Sequence, residues 1–233
     1  MVTPRLLGVA ERMEQPDLRP AELERALEAL ARVNRSFGGT WSVLRHLERL
    51  CAALPAPVSV LDVGTGCADI PRAIVRRARR RGRPVQLTAL DRHVGTLRLA
   101  ERACAAYPEI VLREGDALAL PFSSGSFDVV LASQLLHHME GAEPVRLLRE
   151  LVRVARRGVV VHDLRRGAWP HFATWAALRV VSRDPVTRHD GPLSIRRGFV
   201  PMELLALAGE AGWTGPQVAR HAFFHLVLTE GAP

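Results

Sequence analysis

Val60-Leu61-Asp62-Val63-Gly64-Thr65-Gly66-Cys67-Ala68-Asp69-Ile70-Pro71 is the stretch on which the reading of this chain turns. An apolar strand runs into a glycine turn and then into a helix. Gly64 and Gly66 permit tight turning and close backbone approach to a ligand. Asp69 is the expected N-cap, and Pro71 fits the first helical turn. The helix start offers free N–H groups. A nicotinamide or flavin site would need glycine at position 69, where an acid stands, and would set that acid beside a pyrophosphate. Asp62 brings a second carboxylate to the same pocket. Two acids suit a positively charged ligand better than a phosphate-rich one. A plain strand-to-helix turn without a ligand is the other reading.

Working outward, short apolar runs alternate with amphipathic ones. Strands are expected at Val58–Val63, Val85–Leu90, Ile110–Arg113, Phe127–Ala132 and Val159–His162. Helices are expected at 70–81, 95–106, 143–155 and 201–211. Near-continuous apolar strands alternating with helices signal a parallel sheet covered on both faces. Val218–His221 and Phe223–Thr229 fit a closing antiparallel hairpin. Two more helices, 20–31 and 43–54, precede the first strand. The expected organisation is a helical N-terminal extension or cap over residues 1–57, followed by an α/β domain over 58–233. A lid-like insertion spans about 165–200, with a helix near Phe172–Val181 and a turn at Asp190-Gly191-Pro192. Trp169, Phe172 and Trp175, at helical spacing, are expected to be buried.

The chain has 233 residues, 48% hydrophobic and 24% charged. That composition fits one sizeable core and excludes disordered and collagen-like classes. No apolar run approaches the roughly 18–20 residues needed to span a bilayer, and Met1–Pro20 does not read as a secretory signal. Cys51, Cys67 and Cys104 are scattered, so no disulfide framework is expected and a cytoplasmic location is the default. Net charge is +8, and all 32 basic residues are arginine. Such a balance raises nucleic acid or a membrane surface as partner. Seven arginines in Arg72–Arg83 fall mostly on an outer helix face, and no aromatic–basic RNA-binding pattern is present. Nucleic acid is therefore not the expected partner.

Further polar residues stand at the other expected strand ends, where open α/β sheets bind ligands. They are Asp91, the run Glu114-Gly115-Asp116-Ala117, and Ser133-Gln134-Leu135-Leu136-His137-His138-Met139.

With these motifs in this order, the chain closely resembles the class I S-adenosylmethionine-dependent methyltransferases, nearest to the ubiquinone/menaquinone-biosynthesis branch of small-molecule enzymes. The resemblance covers about residues 58–163. It implies a Rossmann-like α/β fold: a seven-stranded, mostly parallel sheet with helices on both faces and an antiparallel closing strand. It implies S-adenosylmethionine as cofactor and no metal. Asp62, Gly64, Thr65 and Gly66 map to the methionine end. Asp91 maps to the ribose-binding acid, with Arg92 and His93 beside the adenosine. Gly115, Asp116 and Ala117 map to the adenine contact, and Ser133–His138 to the cofactor and substrate entrance. Ala68 stands where the family often has glycine.

Methyl transfer to oxygen or carbon of a phenolic, quinol or polyketide-like small molecule is the expected activity. His137, His138 and His162 are the candidate bases. Arg35, His189, Arg196 and Arg197 are candidate substrate contacts. An RNA or protein methyltransferase, or a cofactor-binding module without turnover, are the alternatives, and a monomer or homodimer is expected.

Overall fold

The order of apolar strands and amphipathic helices places seven strands in one sheet. The computed structural model describes residues 3–15 and 17–231, so the reading of Met1–Pro20 falls partly outside them. The elements are α1 (Pro20–Ser36), α2 (Gly39–Cys51), β1 (Val58–Val63), α3 (Asp69–Arg80), β2 (Val85–Asp91), α4 (Val94–Cys104), β3 (Ile110–Glu114), β4 (Phe127–Ser133), α5 (Glu143–Val154), β5 (Ala155–Leu164), α6 (Ala168–Val181), α7 (Pro185–Arg197), α8 (Pro201–Glu210), β6 (Gln217–His221) and β7 (His225–Glu230). The strand order is β3-β2-β1-β4-β5-β7-β6. β1 to β5 are parallel, and β7 runs antiparallel between β5 and β6.

Alternation along the strands divides the core between the two faces. Val58, Val60, Leu87, Ala89 and Leu131 pack with Val43 and Leu47 of α2, Ile74 and Val75 of α3, and Ala100 of α4. Leu61, Val63, Val130, Val159 and Val161 pack with Leu147, Leu148 and Leu151 of α5 and Leu204 of α8. Those three α5 leucines are wholly buried, each worth about 1.5–3 kcal/mol. The remaining helices, α1, α6 and α7, lie across the C-terminal strand ends with a short 3-10 turn at Arg12–Glu14.

The expected turn at Asp190-Gly191-Pro192 is instead helical and lies inside α7. Asp184 caps it by accepting from the Thr187 N–H at 2.7 Å. A Cβ at position 191 would displace the Leu178 side chain of α6, so Gly191 lets α6 and α7 pack closely. The Asp190 carboxylate accepts the Arg12 and Met13 N–H groups at 2.8 and 3.0 Å, which ties α7 to the N-terminal segment. Trp169, Phe172 and Trp175 are also not buried: they are 67%, 55% and 40% exposed, because the inward face of α6 is made of Ala173, Thr174, Ala177 and Leu178.

Candidate active site

The glycine turn after β1 opens a cavity of about 600 Å³ at the C-terminal edge of the sheet. Gly64 and Gly66 have φ of 72° and 56°, and a Cβ on Gly64 would meet the Leu135 side chain. The N-cap of α3 is Ala68, at φ 55°, and not Asp69; Asp69 is the first helical residue and makes no cap bond. Ala68 thus takes the left-handed conformation that glycine adopts without strain. The Gly66 N–H donates to Asp91 Oδ2 at 2.9 Å, and the His93 N–H to Asp91 Oδ1 at 3.0 Å. A carboxylate accepting two bonds keeps lone pairs for a ligand hydroxyl.

Three carboxylates, Asp62, Asp69 and Asp91, line this end. Burial pushes the Asp62 carboxyl up to about 7, and the nearby Asp69 and Asp91 charges add to the effect. Burial likewise raises Asp69. Thr65 Oγ1 and Asp69 Oδ2 are buried without a hydrogen-bond partner among the described residues, and both residues line the cavity. Buried polar atoms are rarely left unpaired. A donor-bearing, cationic ligand would suit these groups, and the methionine end of S-adenosylmethionine has that chemistry. Arg92, Gly115, Asp116 and Ala117 line the adjoining wall, and the Leu118 N–H donates to Asp116 Oδ1 at 2.9 Å.

The far end of the cavity is built by the turn Leu136–His138 and the N-terminal segment. His137 Nδ1 lies 2.8 Å from Asp163 Oδ1, and its Nε2 lies 3.4 Å from Glu11 Oε1. Burial alone lowers the His137 pKa, but Asp163 and Glu11 together outweigh it and push it up to about 10. Both ring nitrogens of His137 face carboxylates, which favours the imidazolium form. His138 Nδ1 is 2.6 Å from Glu14 Oε1, and Glu14 Oε2 accepts from Arg197 Nη1 at 2.8 Å. Burial opposes ionisation of Glu14, yet His138 and Arg197 hold it well below the usual carboxylate range.

His162 sits behind the cavity wall. Its Nδ1 is 2.9 Å from Ser133 Oγ, its Nε2 is 3.0 Å from His225 Nδ1, and His225 Nε2 is 3.1 Å from the Phe37 carbonyl. The carbonyl can only accept, so His225 Nε2 donates. His225 is neutral, pushed down to about 4 by burial first, so its Nδ1 accepts from His162 Nε2. His162 Nδ1 then accepts from Ser133. The Ser133 proton points away from the cavity and its lone pairs are left toward it.

Of the expected site residues, Asp62, Gly64, Thr65, Gly66, Asp91, Arg92, Gly115, Asp116, Ala117, Ser133, His137 and His138 line one cavity. His162 does not, because its ring is spent on the Ser133–His225 chain. Arg35, His189 and Arg196 are not on the lining either: Arg35 and Arg196 are exposed, and His189 turns out to bond Asp190 at 2.7 Å. Arg197 is buried, but its guanidinium is committed to Glu14 and the His138 carbonyl. Gln134, inside the expected Ser133–His138 entrance, lines the cavity too, whereas sequence reading missed Glu11, Glu14 and the α1 side chains Leu23, Leu27 and Leu30. Gln134 Nε2 donates to Asn34 Oδ1 at 2.6 Å, which joins β4 to α1. Nothing in the local pattern of residues 11–14 signals the role. Among the described residues, Glu11, His137 and His138 are grouped with ligand atoms within 4.8 Å, the one place where a metal ion would find donors. Their hydrogen bonds to Ser194, Asp163 and Glu14 already engage all three.

A methyltransferase domain family model matches residues 60–158. The demethylmenaquinone methyltransferase of Roseiflexus sp. is 30% identical over 224 residues, covering 85% of this chain and 88% of that protein. The 2-phytyl-1,4-naphtoquinone methyltransferase of Thermosynechococcus vestitus is 30% identical over 173 residues, covering 69% and 74%. A methyltransferase structure from Aquifex aeolicus superposes with a TM-score of 0.65 at 15% identity, over 92% of this chain and 98% of that one, a likeness of fold. The chain belongs to the class I S-adenosylmethionine-dependent methyltransferases, in the family that includes the demethylmenaquinone methyltransferases.

Proposed function

We propose that this methyltransferase methylates oxygen or carbon of a phenolic, quinol or polyketide-like small molecule. One observation carries the reading: a single cavity joins the acid-lined glycine turn to the His138 end, and apolar residues of α1, α6 and α7 wall the space between. Bound S-adenosylmethionine supplies an electrophilic methyl on a cationic sulfonium. Asp62, Gly64, Thr65 and Gly66 would hold its methionine end, Asp91 and Arg92 the ribose, and Gly115, Asp116 and Ala117 the adenine, with Ser133 beside them. The protein's main work is then alignment and exclusion of water.

His138 is the base of this proposal. Ionised Glu14 only accepts, so His138 Nδ1 donates to it and Nε2 is left free to take a phenolic proton. Residues 1–57 act as a cap on a methyltransferase domain of 58–233, and the 165–200 segment as its lid. The work is placed in the cytoplasm. Among the described residues no helix is long and apolar enough to cross a membrane.

The RNA or protein alternative is weakened by where the arginines go. Arg76 bonds Tyr107, Arg77 and Arg81 pair with Glu48, Arg79 pairs with Glu109, and Arg83 binds the carbonyls ending α2. The cofactor-binding module without turnover is disfavoured by the His138–Glu14 pair at the acceptor end. A screen of phenols, quinols and RNA with isotopically labelled S-adenosylmethionine, read by mass spectrometry, tests the reading. Label on a phenol or quinol supports it, and label on RNA alone rejects it.

A further inference from the structure

Helix α6, Ala-Trp-Pro-His-Phe-Ala-Thr-Trp-Ala-Ala-Leu-Arg-Val-Val, carries one formal charge, Arg179, and no acid. Its inward face, Ala173, Thr174, Ala177 and Leu178, lines the cavity. Its outward face is apolar too, where an ordinary surface helix would be polar. Trp169, Phe172, Trp175 and Val180 are 67%, 55%, 40% and 86% exposed. The rings form a continuous stripe, with centroids 6.1 Å apart for Trp169–Phe172 and 5.9 Å for Phe172–Trp175. The Arg179 guanidinium closes it, 3.9 Å above Trp175.

The exposed charge of the segment that carries the stripe is mostly of one sign. Residues 165–198 contain seven arginines and two aspartates. Asp184 is spent capping α7, and Asp190 is buried against the N-terminal segment. Arg179, Arg183, Arg188 and Arg196 remain exposed.

We propose that the outward face of α6 docks on an anionic phospholipid bilayer. Tryptophan and phenylalanine settle at the headgroup–acyl boundary, and the exposed arginines meet lipid phosphates. Contact with a second copy is disfavoured, because a two-fold pairing of this face would set its arginines against each other. The same helix would separate bilayer from cavity by about 10 Å. Phe223 is half exposed and also lines the cavity, next to Phe224, over whose ring the Arg165 guanidinium lies at 5.6 Å. An acceptor with an apolar tail could enter from the lipid. That purpose rests on the proposed function; docking itself needs no acceptor.

The test is co-sedimentation of the full chain with vesicles of pure phosphatidylcholine or of equal parts phosphatidylcholine and phosphatidylglycerol. The protein should sediment with the anionic vesicles and be released by salt. The variant combining Trp169→Ser, Phe172→Ser and Trp175→Ser should lose partitioning about tenfold or more. Its affinity for S-adenosylmethionine, measured by calorimetry, should match wild type, showing that it is folded. Wild type left in the supernatant with both vesicles at low salt, or unchanged partitioning of the variant, overturns the proposal. So does a wild-type dimer that the variant dissolves, without vesicle binding. Each of these outcomes leaves cofactor binding and methyl transfer measurable, so failure here is distinct from failure of the proposed function.

Discussion

Glu14 Oε1 lies 2.6 Å from His138 Nδ1, so the N-terminal segment orients a histidine that follows β4. Glu14 is itself held by Arg197 of α7. Three distant parts of the chain thus meet at one imidazole, that of His138, which lines the cavity.

Breaking that arrangement should slow turnover without touching the cofactor. Glu14→Ala is expected to lower kcat for a phenolic acceptor about 10–100-fold, the usual cost of losing a group that orients a functional histidine. His138→Ala should cost about 10²–10⁴-fold, the range of a general base. Calorimetry should show unchanged S-adenosylmethionine affinity in both. Full turnover in His138→Ala would reduce the chemistry to alignment alone.

Asp91→Ala tests the other end. Asp91 already orders the turn through the Gly66 and His93 N–H groups. Removing a charged acceptor costs about 1.5–3 kcal/mol, so cofactor affinity should fall roughly 10- to 100-fold. Equal affinity in titration calorimetry would remove Asp91 from the site.

Asp62 predicts a proton signature. Its carboxyl is pushed up to about 7, first by burial and then by Asp69 and Asp91. A cationic ligand favours the carboxylate, so binding should release a proton near neutral pH. Affinity should rise as pH increases through about 7, and Asp62→Asn should flatten the rise. Calorimetry in buffers of different ionisation enthalpy reads the proton directly.

Stability should peak near neutral pH. His46 and His225 are pushed down to about 4, each by burial first, and His162 is lowered too. Their contribution is complete above the unfolded value of about 6.5 and is lost as pH falls toward 4. His137, pushed up to about 10 because Asp163 and Glu11 outweigh its burial, behaves oppositely. Its contribution is complete below about 6.5 and is lost as pH rises toward 10. Asp62, raised from 3.8 to about 7, and Asp69, raised by burial too, act against the acid limb, but as two groups against three histidines. Thermal melting across pH should show both limbs, and His137→Gln should flatten the alkaline one.

His162→Ala should cost stability more than activity. It leaves the Ser133 hydroxyl and His225 Nδ1 unpaired beside a new cavity. A loss of about 2–4 kcal/mol is expected from denaturant unfolding. Turnover at saturating cofactor should persist, since the ring never reaches the cavity.

The sheet was legible because buried parallel strands read as apolar runs, and the runs at β1, β2, β4 and β5 are interrupted by little else. Asp62, Asp91 and Asp116 were legible because acids at such strand ends stand out. The lid was not: α6 is apolar on both faces, so periodicity gave no inward side, and Asp190-Gly191-Pro192 carries the composition of a turn. Those residues stay helical because Asp190 is bonded to Arg12 and Met13 and Gly191 packs against Leu178. Glu11 and Glu14 were invisible for a related reason. Their partners are Ser194, His137, His138 and Arg197, more than a hundred residues away, and local pattern carries no trace of them. The arginine surplus was legible as surface, but its pairing with Glu48 and Glu109 was not.

The central claim is tested most directly by incubating the full chain with methyl-labelled S-adenosylmethionine and a hydroquinone bearing an apolar tail, with the product read by mass spectrometry. One labelled methyl on the ring or a phenolic oxygen is predicted, with turnover lowered in both Asp91→Ala and His138→Ala. A chain that binds the cofactor yet leaves every phenol and quinol unlabelled, or labels RNA instead, would contradict it.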